Sequence, residues 1–446
     1  MLTAGGVPVS SLGERIRSTR KELGLTQSQL GATDLTKGFI SLVEKGRAKP
    51  SIETLVLLAR RLQKPVGYFL EEGTPLGKKA LALALTSAWT ALKRAEFTEA
   101  AEAFSEALAV AEQQRDESAE GESHIGLGSA LAGLRQLDLA REHVQRGKAL
   151  VEAAHAPRHL ARVSQVLGLI EYYQRNLAAA REHFREGYRL VQEHGHPDVS
   201  LAGSLLLNLG NTYQEIGDYA EAAHWFREAL SALEPTQDLY RIGLVHVKLG
   251  AAHRETGNHD VALAHLIRAE NIFELLEDIS LLSKARTSIG IMQLEQGEVD
   301  DAIGNFERSL HIKERISDDP ERARTLTELA RAYVAKRAFP DAEKALAEAD
   351  RLTKKLGDVT EGARIQVVRA RLHRGLGHLP DAIRHYKQAI SAFDGLGMRG
   401  DLAAAANELG ELLIEQKRPS EAAPYLARAL QELKTGKTAG RAPGKR

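Results

Sequence analysis

The chain has 446 residues, no cysteine, and 60 Lys/Arg balanced against 60 Asp/Glu. Without cysteine there is no disulfide framework, thiolate metal site or thiol nucleophile, and the composition fits a reducing, cytoplasmic setting. No window approaches the roughly 18 consecutive apolar residues of a membrane span. The opening MLTAGGVPVS lacks the charged and apolar regions of a secretory signal.

The net charge of zero hides an asymmetry. Residues 1–76 hold 11 Lys/Arg against 7 Asp/Glu, the tail from 431 holds 5 against 1, and the stretch between them is acidic. Basic ends on an acidic body point to a polyanionic partner. Only 5% of residues are aromatic. Ala, Leu, Arg and Glu dominate, so the expected fold is all-α.

Residues 11–70 predict five short helices. Leu12, Ile16 and Leu23 mark the apolar stripe of the first. Thr26 caps a second helix that runs through Leu30, and Ile40 and Val43 mark a third, ended by Gly46. Ser51, after Pro50, caps a fourth with Leu55, Leu58 and Leu62, and Pro65 opens a fifth containing Phe69.

The strings LTQSQL, FISLVEKG and PSIETL in this order closely resemble the Cro/C1-repressor (XRE) helix-turn-helix family. The resemblance implies a second helix braced on the phosphate backbone and a third lying in the major groove. It places Gln27 at the start of the bracing helix, and Thr36, Lys37, Gly38 and Ser41 on the groove-facing turn. Lys45, Arg47 and Lys49 fall in the loop beyond, toward phosphate, while Glu44 and Gly46 match a structural E-x-G. The segment from Leu30 to Ile40 is one residue shorter than the family's, and Gly38 offers no side chain where many members read a base.

From about residue 80 one pattern repeats. In LLNLGNTYQEIGDYAEAAHWFREAL, Gly210 is followed by Ala222, Phe226 and Ala229 at +12, +16 and +19. The same frame is anchored at 88, 128, 168, 210, 250, 290, 330, 370 and 410, and every step is 40 residues except one of 42. Small residues at the anchor and at +12 let two antiparallel helices approach closely, and a large residue at +16 fills the gap. A Gly or Pro breaker, or an Asp or Asn cap, separates the two helices. One such hairpin cannot bury its apolar face alone, so neighbours must stack.

The spacing resembles an extended form of the tetratricopeptide repeat. It implies a right-handed α-solenoid of about nine 40-residue repeats over 80–434, following the helix-turn-helix domain over 1–72 and a linker at 73–79, while the basic tail at 435–446, short of apolar residues and rich in Gly and Lys/Arg, is expected to be disordered. In that family the first helix of each hairpin lines the concave face. The inward slots then hold Arg162, Gln165, Tyr172, Tyr173, Asn211 and Gln214 in repeats 3 and 4. In repeats 5 to 8 they hold Arg254, Lys284, Arg324, Arg331, Arg364, Arg371 and Arg374. Arg324 and Arg364 share one slot, and Arg331 and Arg371 another, so the cations form ladders suited to peptide carboxylates, beside amides suited to a peptide backbone.

Nothing in the sequence resembles a catalytic motif: there is no Walker A run, no G-x-S-x-G elbow and no H-E-x-x-H. Sixteen histidines include pairs at ligand spacing, His155/His159 and His194/His196. No carboxylate recurs with them, and no metal or other cofactor is expected. Isolated Gly-x-Gly strings such as 126–128 belong to the repeat packing.

A helix-turn-helix domain ahead of tetratricopeptide repeats is similar to the RRNPP-type peptide-sensing regulators. That resemblance implies a homodimeric, sequence-specific transcriptional regulator on double-stranded DNA, its solenoid taking a peptide or protein ligand that shifts dimer geometry. The alternative is a solenoid adaptor that docks a protein partner, with the helix-turn-helix only a contact module.

Overall fold

The structure, a computed structural model, describes residues 11–64, 66–69, 75–156, 159–193 and 198–439, apart from the side chains of 75–76 and 433–439. It divides into two compact units, Met1–Leu201 and Ala202–Arg446. Among the described residues every regular element is helical, and none is long and apolar enough to cross a membrane.

The first unit opens with α1 (Leu12–Glu22), α2 (Gln27–Gly31), α3 (Lys37–Glu44), α4 (Ile52–Arg61) and a 3-10 turn, Val66–Phe69. Local chemistry sets each start. Ser11 with Glu14, and Thr26 with Gln29, form reciprocal capping boxes on α1 and α2, while Thr36 and Ser51 cap α3 and α4. Ile16, Leu30, Ile40, Val43, Leu55, Leu58, Leu62 and Phe69 close one core. At Gly13 a Cβ would fall 2.5 Å from the carbonyl oxygen of Val43, so only glycine lets α1 lie on the end of α3.

This core does not stop where a linker is expected at 73–79. Helix α5 (Pro75–Lys93) begins inside that stretch. Ala80 and Leu81 of α5, Val110 and Ala111 of α6 (Phe97–Gln114) and Ala119 of α7 (Glu117–Gly133) join the same cluster. The helix-turn-helix is therefore seated on the first repeat rather than tethered to it.

Three hairpins complete the first unit: α5–α6, α7–α8 (Leu137–Ala153) and α9–α10 (Leu160–Tyr173, Leu177–Glu193). The second unit holds α11–α12 (Val199–Ile216, Tyr219–Leu233), whose first residues precede the boundary, then α13–α14 (Leu239–Glu255, His259–Leu275) and α15–α16 (Ile279–Gln296, Val299–Arg315). It ends with α17–α18 (Asp319–Ala335, Phe339–Leu356), α19–α20 (Val359–Gly375, Leu379–Gly395) and α21–α22 (Arg399–Glu415, Pro419–Ala439). Helix α22 runs into the tail expected to be disordered from 435. Residues 440–446 lie outside the described residues.

The expected +16 contact is made in hairpin after hairpin. A Cβ on Gly168 would sit 2.5 Å from Phe184, one on Gly250 2.7 Å from Leu266, and one on Gly290 2.7 Å from Phe306. Gly126 and Gly128 abut Phe104 and Val144, which accounts for that glycine string by packing alone. The turns are equally regular. Residues seven after each anchor, from Ala95, Arg135 and Arg175 to Gly377 and Lys417, have positive φ. Asp238, Asp278, Asp318 and Asp358 occupy one slot and cap α13, α15, α17 and α19.

A second repeated feature is polar. His124 Nδ1 lies 2.9 Å from His143 Nδ1 between α7 and α8, and His246 Nδ1 lies 2.9 Å from His265 Nδ1 in the same register of α13–α14. In α19–α20 the register holds Gln366 and His385, 2.7 Å apart. Burial, then the neighbouring imidazole, pushes His124 down to about 4, with Arg146 adding a further cation. Burial, then His246 and His253, does the same to His265, near Arg268 and Arg227. An unfolded imidazole binds its proton near 6.5, so each pair favours unfolding as pH falls from about 6.5 toward about 4. The melting temperature should therefore fall across that window. A His124→Gln/His246→Gln variant, which copies the Gln366–His385 pairing, should lose a clear part of the slope; an unchanged slope would rule the pairs out as its source.

Candidate nucleic-acid interface and ligand groove

Around α3 the structure gathers an exposed cationic surface. Thr36, Lys37 and Gly38 at its start are exposed, as are Lys45, Arg47 and Lys49 beyond its end, while Ser41 is half-buried on the helix between them. No acidic side chain lies within ion-pair distance of these four cations among the described residues. Thr36 is partly committed, since its Oγ accepts from the Phe39 amide at 3.1 Å. Leu42, 44% exposed on α3, was not legible as a surface residue. It offers an apolar contact of the kind that reads a thymine methyl.

Gln27 opens α2, where its family position puts it, and its side chain is engaged within the domain. It is half-buried, and its Nε2 donates to Glu44 Oε2 at 2.8 Å. Glu44 also takes a bidentate pair from Arg20, Nε to Oε1 at 2.5 Å and Nη2 to Oε2 at 3.0 Å, and Arg20 donates again to the Leu25 carbonyl at 2.7 Å. Burial alone would raise the Glu44 pKa, but the hydrogen bonds from Arg20 and Gln27 outweigh it and the net shift is downward. This hub ties α1, the α1–α2 turn, α2 and the end of α3 together. Arg61 of α4 fastens the end of α2 by donating to the Gly31 carbonyl at 2.6 Å and pairing with Asp34.

In the first unit, Arg162 stacks 4.3 Å over the Trp89 ring and donates to Asp198 at 2.7 Å. Tyr173 carries the Arg135 guanidinium 3.4 Å above its ring, with Tyr172 edge-on at 5.6 Å. Gln165 is half-buried. Trp89 and Tyr173 are thus each covered on one face by an arginine of this chain.

In the second unit, Arg331, Arg364 and Arg371 converge on one cavity of 170 Å³ between α17, α19 and α21, floored by Val367, Val368 and Phe393. The sequence did not disclose the acids there. Glu328, Asp401 and Glu408 line the same cavity, so the basic ladder is charge-compensated. Arg371 makes a bidentate pair with Glu408 at 2.8 and 2.6 Å, and Tyr386 donates to the same carboxylate at 2.8 Å. Arg364 is looser, 3.7 Å from Glu361 and 4.0 Å from Asp401. Arg331 lies 2.8 Å from Glu328, yet its Nε and Nη2 are buried without a well-aligned acceptor.

The other expected groove residues lie outside this cavity. Arg254 pairs with Glu255 at 2.6 Å, Arg324 with Glu321 at 3.0 Å and Arg374 with Glu415 at 2.5 Å. Lys284 is exposed. On α11, Asn211 Oδ1 and Gln214 Oε1 are buried with no hydrogen-bond partner, one turn apart on one helix face.

Residues 16–69 match the helix-turn-helix family model, and tetratricopeptide repeat models match 203–234, 241–315 and 367–437. No curated protein matches the chain. Among solved structures, the apo form of RapI is similar with a TM-score of 0.67 at 14% identity, over 81% of this chain and 99% of that one. The apo form of the quorum sensor NprR from B. thuringiensis gives 0.64 at 14%, over 80% and 99%. A Rap protein complexed with Competence and Sporulation Factor gives 0.61 at 14%, over 81% and 99%. At this identity the likeness is one of fold.

The hub makes a prediction about the helix-turn-helix. Glu44→Ala strands the Arg20 charge in a buried site and should cost about 3–5 kcal/mol, whereas Arg20→Met/Glu44→Leu removes both charges and should cost far less. Amide exchange of α1 and α3 in the full chain measures both. A double variant as damaged as the single one would mean that the pair matters for shape rather than charge.

Proposed function

We infer that this chain, a helix-turn-helix domain continued by tetratricopeptide repeats, is a transcriptional regulator that binds double-stranded DNA as a homodimer and senses a peptide in its solenoid. The DNA reading is carried by Lys37, Lys45, Arg47 and Lys49 around α3, cations that meet no acid among the described residues, and by the exposed, capped start of that helix, which is free to enter a groove. One such domain covers little DNA, and a dimer doubles the surface available for specificity. The continuous core from Ile16 to Ala119 supports coupling, because the DNA-binding helices move with the first repeat.

The ligand reading rests on unspent hydrogen-bonding capacity. Arg331 keeps donors in reserve at the wall of the 170 Å³ cavity, and Asn211 with Gln214 keeps acceptors in reserve on α11. A peptide supplies both complements, a carboxylate for the guanidinium and backbone N–H groups for the amide oxygens. A protein named as a quorum sensor and another solved in complex with Competence and Sporulation Factor share the fold, which agrees with this reading.

Two experiments test the two halves. Binding to random duplex DNA across a salt series should be weaker and flatter for Lys45→Ala/Arg47→Ala/Lys49→Ala, the slope falling by roughly one for each phosphate that is no longer neutralised. Wild-type affinity in that variant would remove these residues from the interface. For the groove, an acidic peptide library should outbind a basic one, and Arg331→Ala should cost roughly 2–5 kcal/mol while the exposed Lys284→Ala costs far less. Equal losses from the two variants would show that Arg331 holds no ligand.

A further inference from the structure

We propose that the turn of the α19–α20 hairpin is a binding site for a divalent transition-metal ion, held by His373, His378 and Asp381. The ligand atoms of these three residues lie within 4.8 Å of one another. They come from both arms of one turn: His373 from the last turn of α19, His378 from the N-cap of α20 and Asp381 from its first turn. The backbone fixes their approach. Gly377 takes a φ of +79°, and the His378 amide donates to the His373 carbonyl at 2.9 Å.

Supporting contacts surround the three. His385 stacks on His373 with centroids 5.2 Å apart and planes 11° apart, and its Nδ1 meets Gln366 Oε1 at 2.7 Å. Arg384 lies 2.9 Å from one Asp381 oxygen, which orients the carboxylate and leaves the other oxygen for a cation. Such flanking bonds are what usually aim metal ligands. His373 Nδ1 is buried and has no hydrogen-bond partner.

The α13–α14 hairpin is an internal comparison. His253 stands in the slot of His373, stacks on His265 in the same way at 5.7 Å and 10°, and likewise leaves Nδ1 unpartnered. There, however, Asn258 and Val261 replace His378 and Asp381. The lone histidine is thus a feature of the repeat, and the other two ligands distinguish α19–α20. Two imidazoles and one carboxylate suit Zn2+, Co2+ or Ni2+ over Mg2+ or Ca2+, which prefer oxygen ligands, with water completing the coordination. A bound ion would pin α19 to α20, the hairpin that carries Arg364 and Arg371 into the cavity wall.

The test is titration of the full-length chain, made without a polyhistidine tag and stripped with chelator, using Zn2+ by calorimetry and Co2+ by visible absorption. Wild type should show one site that His378→Asn/Asp381→Asn weakens by about tenfold or more, because even flanking partners are worth 10–100-fold. The Co2+ ligand-field bands should fade with it. Asn258 shows that the turn tolerates asparagine at the His378 slot, and the Asp381–Arg384 pair lost with the second change is solvent-exposed and so worth little, so the metal-free melting temperature should change little. Zn2+ held by the other histidines would be common to both proteins. Matching isotherms and Co2+ spectra for wild type and variant would overturn the proposal.

Discussion

A small residue on one helix meeting a large one sixteen positions later is the contact on which the rest of the structure depends. Gly250 can lie against Leu266, and Gly290 against Phe306, only because no Cβ stands between them. Each contact buries a large apolar side chain, worth about 1.5–3 kcal/mol by transfer. It also fixes how far apart the two helices run. Once that face is committed inward, the residues one and four places beyond the anchor have nowhere to point but the opposite face. The groove residues Arg331, Arg371 and Arg374 therefore follow from the packing that hides Leu346 and Tyr386.

The helix-turn-helix end obeys the same rule with different parts. Gly13 brings α1 onto the backbone of α3, and that approach places Arg20 beside Glu44. An ion pair so buried stabilises little by itself, because desolvation of the charges opposes their attraction. Its contribution is geometric. Glu44 accepts from Arg20 and Gln27 together, so the end of the exposed helix cannot shift without breaking both. Lys45, Arg47 and Lys49 follow that fixed point directly in the chain.

What the sequence disclosed was whatever repeats or sits close in the chain. The anchors, the +16 partners, Thr26 and Ser51 as caps and the apolar stripe of the first helices are all local patterns, and each was found in place. Left-handed turn residues were half legible. Gly217 and Gly257 announce themselves, but Arg135, Arg175 and Lys417 adopt positive φ because the turn requires it at that register, against their own preference. Contacts between hairpins were not legible. Glu408 lies 37 residues beyond Arg371 and belongs to the next repeat, and no local rule pairs the two. Gln27 opens the second helix as expected, but its bond to Glu44 was hidden for a related reason: position along a helix says which face a side chain leaves from, not what it meets there. The linker expected at 73–79 failed because Ala80 and Leu81 read as repeat residues, whereas they also complete the core of the preceding helices.

Compensated arginines change what the proposed peptide recognition would involve. A free basic stripe would draw in any anion, with selectivity set by net charge. Here Glu328, Asp401 and Glu408 cancel Arg331, Arg364 and Arg371 around the cavity, and long-range attraction is weak. A ligand carboxylate must then be exchanged for one that is already present, or meet donors that no acid has claimed. Arg371 is a poor candidate for exchange, since Glu408 holds it bidentately and is itself steadied by Tyr386. Arg331 is the better one, because its carboxylate neighbour is close but misaligned and leaving it forfeits little hydrogen bonding. Selectivity in such a site comes from the direction of a few buried donors more than from the sign of the surface. A neighbouring carboxyl reinforces the point: Glu361, almost fully buried and pushed up by that burial, accepts from Thr327 at 2.6 Å and is already engaged within the chain. On the proposed reading, a groove built this way would reject most anions and accept the one whose carboxylate lies along the unspent edge of Arg331.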